Sequence, residues 1–323
     1  RQAGFWRSFS QSRLKAQTLA TRPVVNISAF LQSSRLRSQR RGIFVGLLLA
    51  LPILAQAGTS LWRVSHGKNT LLLGGTVHLL SQSDFPLPDE FEQAFREAQL
   101  LVFETDMGAL MKPEVQMALA QRLIYRDGSR LTDHIKPATY KALKKHLRRT
   151  AMPEASLLAM KPALVVIVLT LENIKKAGSG DAGVDQLFFK KAQSAGKPVK
   201  SLETLAAQMN ALAALGEGQE DALLLSTLKE LKQTDKSIHL LTDAWRRGDL
   251  VEMEKTGIAP MLGEFPASYE QLIAARNRAW LETLEGYLAT PERELVLVGA
   301  LHLAGKEGLL TLLQQKGYRV EQY

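Results

Sequence analysis

The stretch "LLLGGTVHLL", residues 71–80, has a near copy late in the chain, "LVLVGALHLA", residues 295–304. Each is an apolar run that breaks at a glycine and sets a histidine three positions on: Gly75 to His78, and Gly299 to His302. Apolar runs without polar alternation mark strands covered on both faces, as in parallel sheets under helices. A buried strand that ends at glycine presents its next residues at its carboxyl end, where α/β sheets place their ligands. The glycine admits a close backbone approach that a side chain would block.

The neighbouring segments extend this α/β reading. The first motif runs from a strand, "TLLLGG", through a helix, "EFEQAFREAQ", to a second buried strand, "LLVFE". The second runs from "ELVLVG" through "KEGLLTLLQQKG" to "YRVEQY". Two strand–GxxH–helix–strand halves predict a single α/β domain over residues 58–323, with a mixed sheet built from the N- and C-terminal segments and a largely helical middle. In that middle, "KPATYKALKKHLRR" and "GVDQLFFKKAQSAG" read as helices, "KPVKSLE" as a strand, and residues 204–286 as almost wholly helical. "MKPALVVIVLTLENIKKA" is assigned to a helix, but its Val-Val-Ile-Val core leaves a strand open, because periodicity does not decide short apolar runs.

The net charge of +9 belongs to the leader and not to this domain. Residues 1–41 carry nine Lys and Arg, no acid precedes Asp84, and the remainder holds 32 bases against 32 acids. A nucleic-acid footprint needs its bases clustered on the folded domain, so no nucleic-acid partner is expected. Within residues 1–57, "RSQRR" precedes the 13-residue uncharged run "GIFVGLLLALPIL" and then Ala55-Gln56-Ala57. A basic segment, a short apolar core and an A-x-A site describe a signal peptide with cleavage after Ala57. The run is short for a membrane span, which takes roughly 20 residues. The protein is therefore expected in the periplasm, with anchoring by an uncleaved leader as the alternative and the only membrane contact. The chain has no cysteine, which excludes disulfides, thiolate metal sites and a thiol nucleophile.

One histidine at a strand end reads most simply as bonded to a neighbouring carbonyl. Two in the same setting favour a shared site. "LLVFETD" supplies a third group: Glu104 follows the buried run, and Asp106, two residues on, shares its face if the strand continues. His78, His302 and Glu104 make the two-imidazole, one-carboxylate set of several catalytic zinc centres, with a position left open for water. The same set holds iron in oxygenases or works without metal as an acid–base cluster. Glu203 closes "KPVKSLE" as Glu104 closes its own strand. It also follows "GSGDAG", residues 178–183, at the distance of a dinucleotide fingerprint. That match is weak, because "ENIKKA" separates the glycines from the apolar run, and a loop with Asp181 as helix cap is the simpler reading. Arg276 and Asn277 in "AARNRAWLETL" sit on a helix, where a solvated face is the default. Trp245 and Trp280 read as core. HExxH, GxSxG, a P-loop and an EF-hand loop are all absent.

Taken together, "GTVHLL", "FETD", "KPA" at 161–163, "GVDQLFFKKAQSAGKPVKSLET", "RNRAW" and "VGALHLAGKEGLLTLLQQKGYRV" resemble the TraB/GumN family, to which the Tiki metalloproteases are related. The resemblance implies one α/β domain with the paired GxxH motifs and a glutamate at one site. It implies metal-dependent proteolysis through His78, Glu104 and His302, with Glu203, Arg276 and Asn277 at further matching positions. The expectation is an exported, peptidase-like hydrolase acting on a peptide or protein. His78, Glu104 and His302 would hold Mn, Co or Zn, Glu203 or Asp106 would act as base, and Arg276 would steady an oxyanion or a substrate carboxylate. Two alternatives stand beside it: a periplasmic binding or sequestering protein using the same pocket, and a metal-free hydrolase in which the histidines and glutamate move protons.

Overall fold

The computed structural model describes residues 58–323 apart from Leu79, Ala151, 177–182 and Gln233. The basic leader, the cleavage site expected after Ala57 and most of "GSGDAG", Asp181 included, lie outside the described residues. The described residues fall in one compact unit.

Six strands form one sheet: β1 (Leu61–His66), β2 (Asn69–Thr76), β3 (Leu100–Phe103), β4 (Val199–Ser201), β5 (Glu294–Gly299) and β6 (Arg319–Gln322). Their order is β4-β3-β5-β2-β1-β6. The first four in that order run parallel, and β1 is antiparallel to both β2 and β6. The sheet is thus mixed and drawn from both ends of the chain. Its central strands are covered on both faces, with Leu71 to Leu73, Leu101, Val102 and Leu295 to Val298 all buried.

β5, from the second motif, inserts between β2 and β3 of the first. Gly75 pairs with Val298 and Thr76 with Gly299, so both GxxH turns leave the same edge of the sheet side by side. The two halves share an order of elements but not a topology. From β2 to β3 the chain passes one strand, whereas from β5 to β6 it passes two. β1 was not among the expected strands. It pairs with β2 across a two-residue turn in which Gly67 takes φ 59°, a backbone region that favours glycine.

The ambiguous apolar run is a helix, Pro162–Lys176. Pro162 suits a first helical turn, where its missing N–H costs nothing, and Lys175 and Lys176 in the last turn complement the dipole. Val165, Val166 and Leu169 bury against Leu223, Leu224 and Leu228 of the helix Glu220–Glu230, in a core separate from that of the sheet. Helix packing, not strand pairing, therefore absorbs this segment. The helical expectation for 204–286 holds, with two π-helical turns inside it, Glu254–Ile258 and Glu270–Ala274. Among the described residues no helix is long and apolar enough to cross a membrane.

Candidate functional site

Glu104 follows β3, His78 follows β2 and His302 follows β5, so three adjacent parallel strands deliver them to one edge. They meet above Gly299. A Cβ on that residue would stand 3.2 Å from Glu104 Oε1, 3.6 Å from His302 Cδ2 and 3.9 Å from His78 Nε2. Gly299 has φ −52° and ψ 134°, which any residue can adopt, so its role is space and not backbone freedom.

Each histidine is fixed through Nδ1. His302 is buried, with Nδ1 2.6 Å from Asn277 Oδ1. The Asn277 amide nitrogen donates to the carbonyls of His302, at 3.0 Å, and Glu307, at 2.7 Å. Its oxygen must therefore face the imidazole, and Nδ1 carries the proton. Nε2 is left as an acceptor, and Arg276 Nη1 donates to it at 3.0 Å. His78 Nδ1 lies 3.2 Å from Asp185 Oδ2, which leaves its Nε2 on the side of Glu104. Asp185 reaches it because the helix Val184–Ser194 begins against the first motif. The Val184 N–H donates to the Val77 carbonyl at 3.1 Å, and a Cβ on Gly183 would collide with the carbonyls of Val77 and His78.

Arg276 ties these groups together. Its Nη2 donates to Glu104 Oε2 and to Glu203 Oε1, both at 2.7 Å. Its Nε reaches both Glu203 oxygens, and Nη1 also donates to the Leu272 carbonyl in the second π turn, at 2.9 Å. The guanidinium lies 4.7 Å from the Trp280 ring centroid, and Trp280 Nε1 donates to Glu203 Oε2 at 3.3 Å. Glu104 Oε1 accepts the Gly299 N–H at 2.6 Å, and Gln208 Nε2 approaches Oε2 at 3.5 Å. The Arg276, Glu104 and Glu203 side chains are only 13, 12 and 9 % exposed. Such a cluster holds only while every charge keeps its partner.

Burial works against the Glu104 carboxylate, but the charges of His302, Arg276 and His78, with the Gly299 N–H, bring its pKa down to about 2. Burial lowers His302 to about 4, more than the attraction of Glu104 raises it. His302 is then neutral at neutral pH, and the countercharge to Glu104 is that of Arg276 and His78. The hydrogen bond to Asp185 raises His78 to about 9 against the opposing effect of desolvation. Its side chain is 68 % exposed, so solvent screening tempers that rise.

Of the residues singled out in the sequence, His78, Glu104, His302, Arg276, Asn277 and Glu203 form this one network. Asn277 is fully buried and Arg276 nearly so, so the solvated face expected for them is replaced by a wall of the site. Glu203 anchors Arg276 and does not line the cavity. Asp106 stands apart. The strand ends at Phe103, and Asp106 instead caps the turn Met107–Leu110, with Oδ1 accepting the Ala109 N–H at 2.9 Å. The glycines of "GSGDAG" follow the helix Pro162–Lys176 and not a strand, which removes the dinucleotide reading. Trp245 and Trp280 are core residues, as expected, but both also touch the site: Trp245 Nε1 donates to the Gly75 carbonyl at 2.7 Å. Asp185 and Gln208 were not anticipated. Asp185 had one usable signal, a carboxylate in the first turn of a helix within a family motif; Gln208 had none.

The donor set suits a divalent cation. Two imidazoles bonded outward through Nδ1 present Nε2 inward, the usual arrangement of histidine ligands with their supporting partners, and Glu104 is an ionised oxygen donor beside them. Among the described residues no group of three His, Cys, Asp or Glu side chains stands ready-formed for a metal. Arg276 Nη1 holds the His302 Nε2 lone pair and His78 is charged, so a cation there requires that contact to open and His78 to release its proton.

A family model described as TraB/PrgY/gumN matches residues 60–322. The chain belongs to this family. Comparison with curated proteins gives no match, nor does comparison with solved structures. The family span encloses all six strands and every residue of the network.

Proposed function

We propose that this centre hydrolyses an amide bond of a peptide or protein, using a divalent cation held by His78 Nε2, Glu104 and His302 Nε2, and that the protein works in the periplasm after export. The observation that carries the reading is the paired orientation of the imidazoles, each fixed through Nδ1 with Nε2 turned toward the same carboxylate. A bound cation supplies Lewis acidity and a water of lowered pKa. The chain's own residues do the remainder. Asn277 holds His302 in the Nδ1–H tautomer, Asp185 orients His78, and Arg276 places a buried positive charge where an oxyanion would form. Glu203 positions Arg276. The leader, with its short apolar core and A-x-A site, supports export.

A second reading is supported by Arg276, which already supplies a cation between Glu104, Glu203 and His302. In that reading the centre works without metal, and His78, paired with Asp185, moves the proton.

Metal analysis and peptide cleavage with Mn²⁺, Co²⁺ or Zn²⁺ decide between them, with His78→Ala and His302→Ala alongside. Cleavage abolished by a chelator and by both substitutions is the expected result. Cleavage that survives chelation favours the metal-free reading. Saturable binding of intact peptide favours a sequestering protein, and unchanged metal content and activity in both variants overturns the site.

A further inference from the structure

Over the network lies a cavity of about 620 Å³. Its polar side chains gather at the floor: Thr76, His78, Glu104, Gln208, Arg276 and His302. Three helices, Pro162–Lys176, Leu205–Ala213 and Thr234–Arg247, build the opposing walls. They contribute Leu171, Ile174, Ala211, Leu212, Ile238 and Leu241, with Thr242 as the one hydroxyl among them. Backbone N–H and C=O groups in a helix interior are consumed by the helix itself, so beyond Gln208, which reaches down to Glu104, and Thr242, these helices offer an occupant almost no hydrogen-bonding partner.

That property selects the occupant. A peptide threaded through this space would bring an N–H and a C=O with every residue. Each such group buried without a partner is costly, and among the described residues no strand edge lines the walls to pair with it. A single apolar side chain is too small, since a cavity of about 150 Å³ already takes a benzene ring. A hydrocarbon chain fills the volume without polar atoms, and the charged floor then receives the one polar end it carries.

We propose that the cavity is an acyl-chain site and that the scissile bond of the substrate is the amide joining a fatty acyl group to an amine, as in an N-acylated peptide. The proposal rests on the hydrolase reading above and names its substrate class. Water oxygen bonds to the acyl carbon as the C–N bond breaks. The nitrogen takes a proton, and the products are a fatty acid and the free amine.

The test uses the full chain. Straight-chain fatty acids from hexanoate to palmitate are titrated by displacement of a fluorescent fatty acid. N-acylalanines of the same lengths, with Mn²⁺ present, are assayed for released alanine. Affinity should tighten by about fourfold per methylene until the cavity is full and then level off, and turnover should follow the same order. Ala211→Trp should move the plateau to shorter chains, and Met117→Trp, on an exposed site away from the cavity, should leave it in place. If Ala211→Trp fails to fold, Leu241→Ala decides instead by moving the plateau to longer chains. Affinity independent of chain length, or a plateau that neither cavity variant moves, overturns the acyl site. Chain-length-dependent binding with no acyl amide cleaved keeps the acyl site and overturns the hydrolase reading. Cleavage of unacylated peptides without chain-length dependence does the reverse.

Discussion

Asn277 Oδ1 lies 2.6 Å from His302 Nδ1, and the Asn277 amide nitrogen is committed to two carbonyls. One buried amide thereby sets the tautomer of one imidazole and ties the helix Ala275–Leu288 to the turn after β5. The coupling between fold and site is direct here, because the same three hydrogen bonds serve both.

Asn277→Ala leaves the His302 Nδ1–H and two carbonyls without a partner in the interior. At roughly 1–3 kcal/mol for each unsatisfied group, a clear fall in melting temperature is expected. Metal affinity should drop about 10–100-fold, as it does when the group that orients a ligating histidine is removed. Nitrogen chemical shifts of His302 provide the specific readout: one tautomer in the wild type, a mixture in the variant. An unchanged tautomer would show that Asn277 does not set it.

On the metal reading proposed above, Arg276 and the cation would compete for the same atoms. In Arg276→Gln, Glu104 and Glu203 face each other without their shared cation, and breaking a buried ion pair in this way costs about 3–5 kcal/mol. A cation that binds only the folded state restores stability in proportion to its occupancy. The melting temperature of Arg276→Gln should thus start below wild type and rise more on adding Mn²⁺. Equal rises in the two proteins would mean that the guanidinium does not guard the site.

Gly299→Ala separates fold from function. Its backbone angles suit alanine, while the new Cβ would stand 3.2 Å from Glu104 Oε1 in the space the three side chains surround. Melting should change little and turnover should be lost. A variant that melts far below wild type would show the glycine to be structural instead.

β2, β3 and β5 were legible because they are unbroken apolar runs, two of them ending in a repeated GxxH, and the convergence of His78, Glu104 and His302 follows from the register of these three adjacent parallel strands. β1 went unrecognised: Arg63, Ser65 and His66 interrupt the apolar residues of "LWRVSH", and its turn glycine, Gly67, is marked by a backbone angle that the sequence does not display. Asp106 misled because alternation holds only while a strand continues, and this one stops at Phe103. Arg276 and Asn277 point inward because the π turn at Glu270–Ala274 and the packing of the whole helical middle orient their helix. No local pattern encodes that arrangement. Asp185 comes to His78 through the docking of Gly183, a contact between segments about a hundred residues apart.

At the far end of β5, Glu294 is 1 % exposed, and its Oε2 has no hydrogen-bond partner among the described residues. Burial raises its pKa from 4.5 to about 7, with Glu292 adding to the rise and Lys200 opposing it. The folded state therefore binds this proton more tightly than the unfolded chain does. The contribution is fully present below the unfolded value and is lost as pH climbs through about 7. The loss amounts to at most about 3 kcal/mol at higher pH. Glu294→Gln removes the ionisation and leaves the other titrating groups in place. Its melting temperature, compared with wild type, should show an advantage that is small near pH 5 and grows toward pH 8. A difference that stays constant across that range would mean that Glu294 ionises in the fold as freely as it does in water.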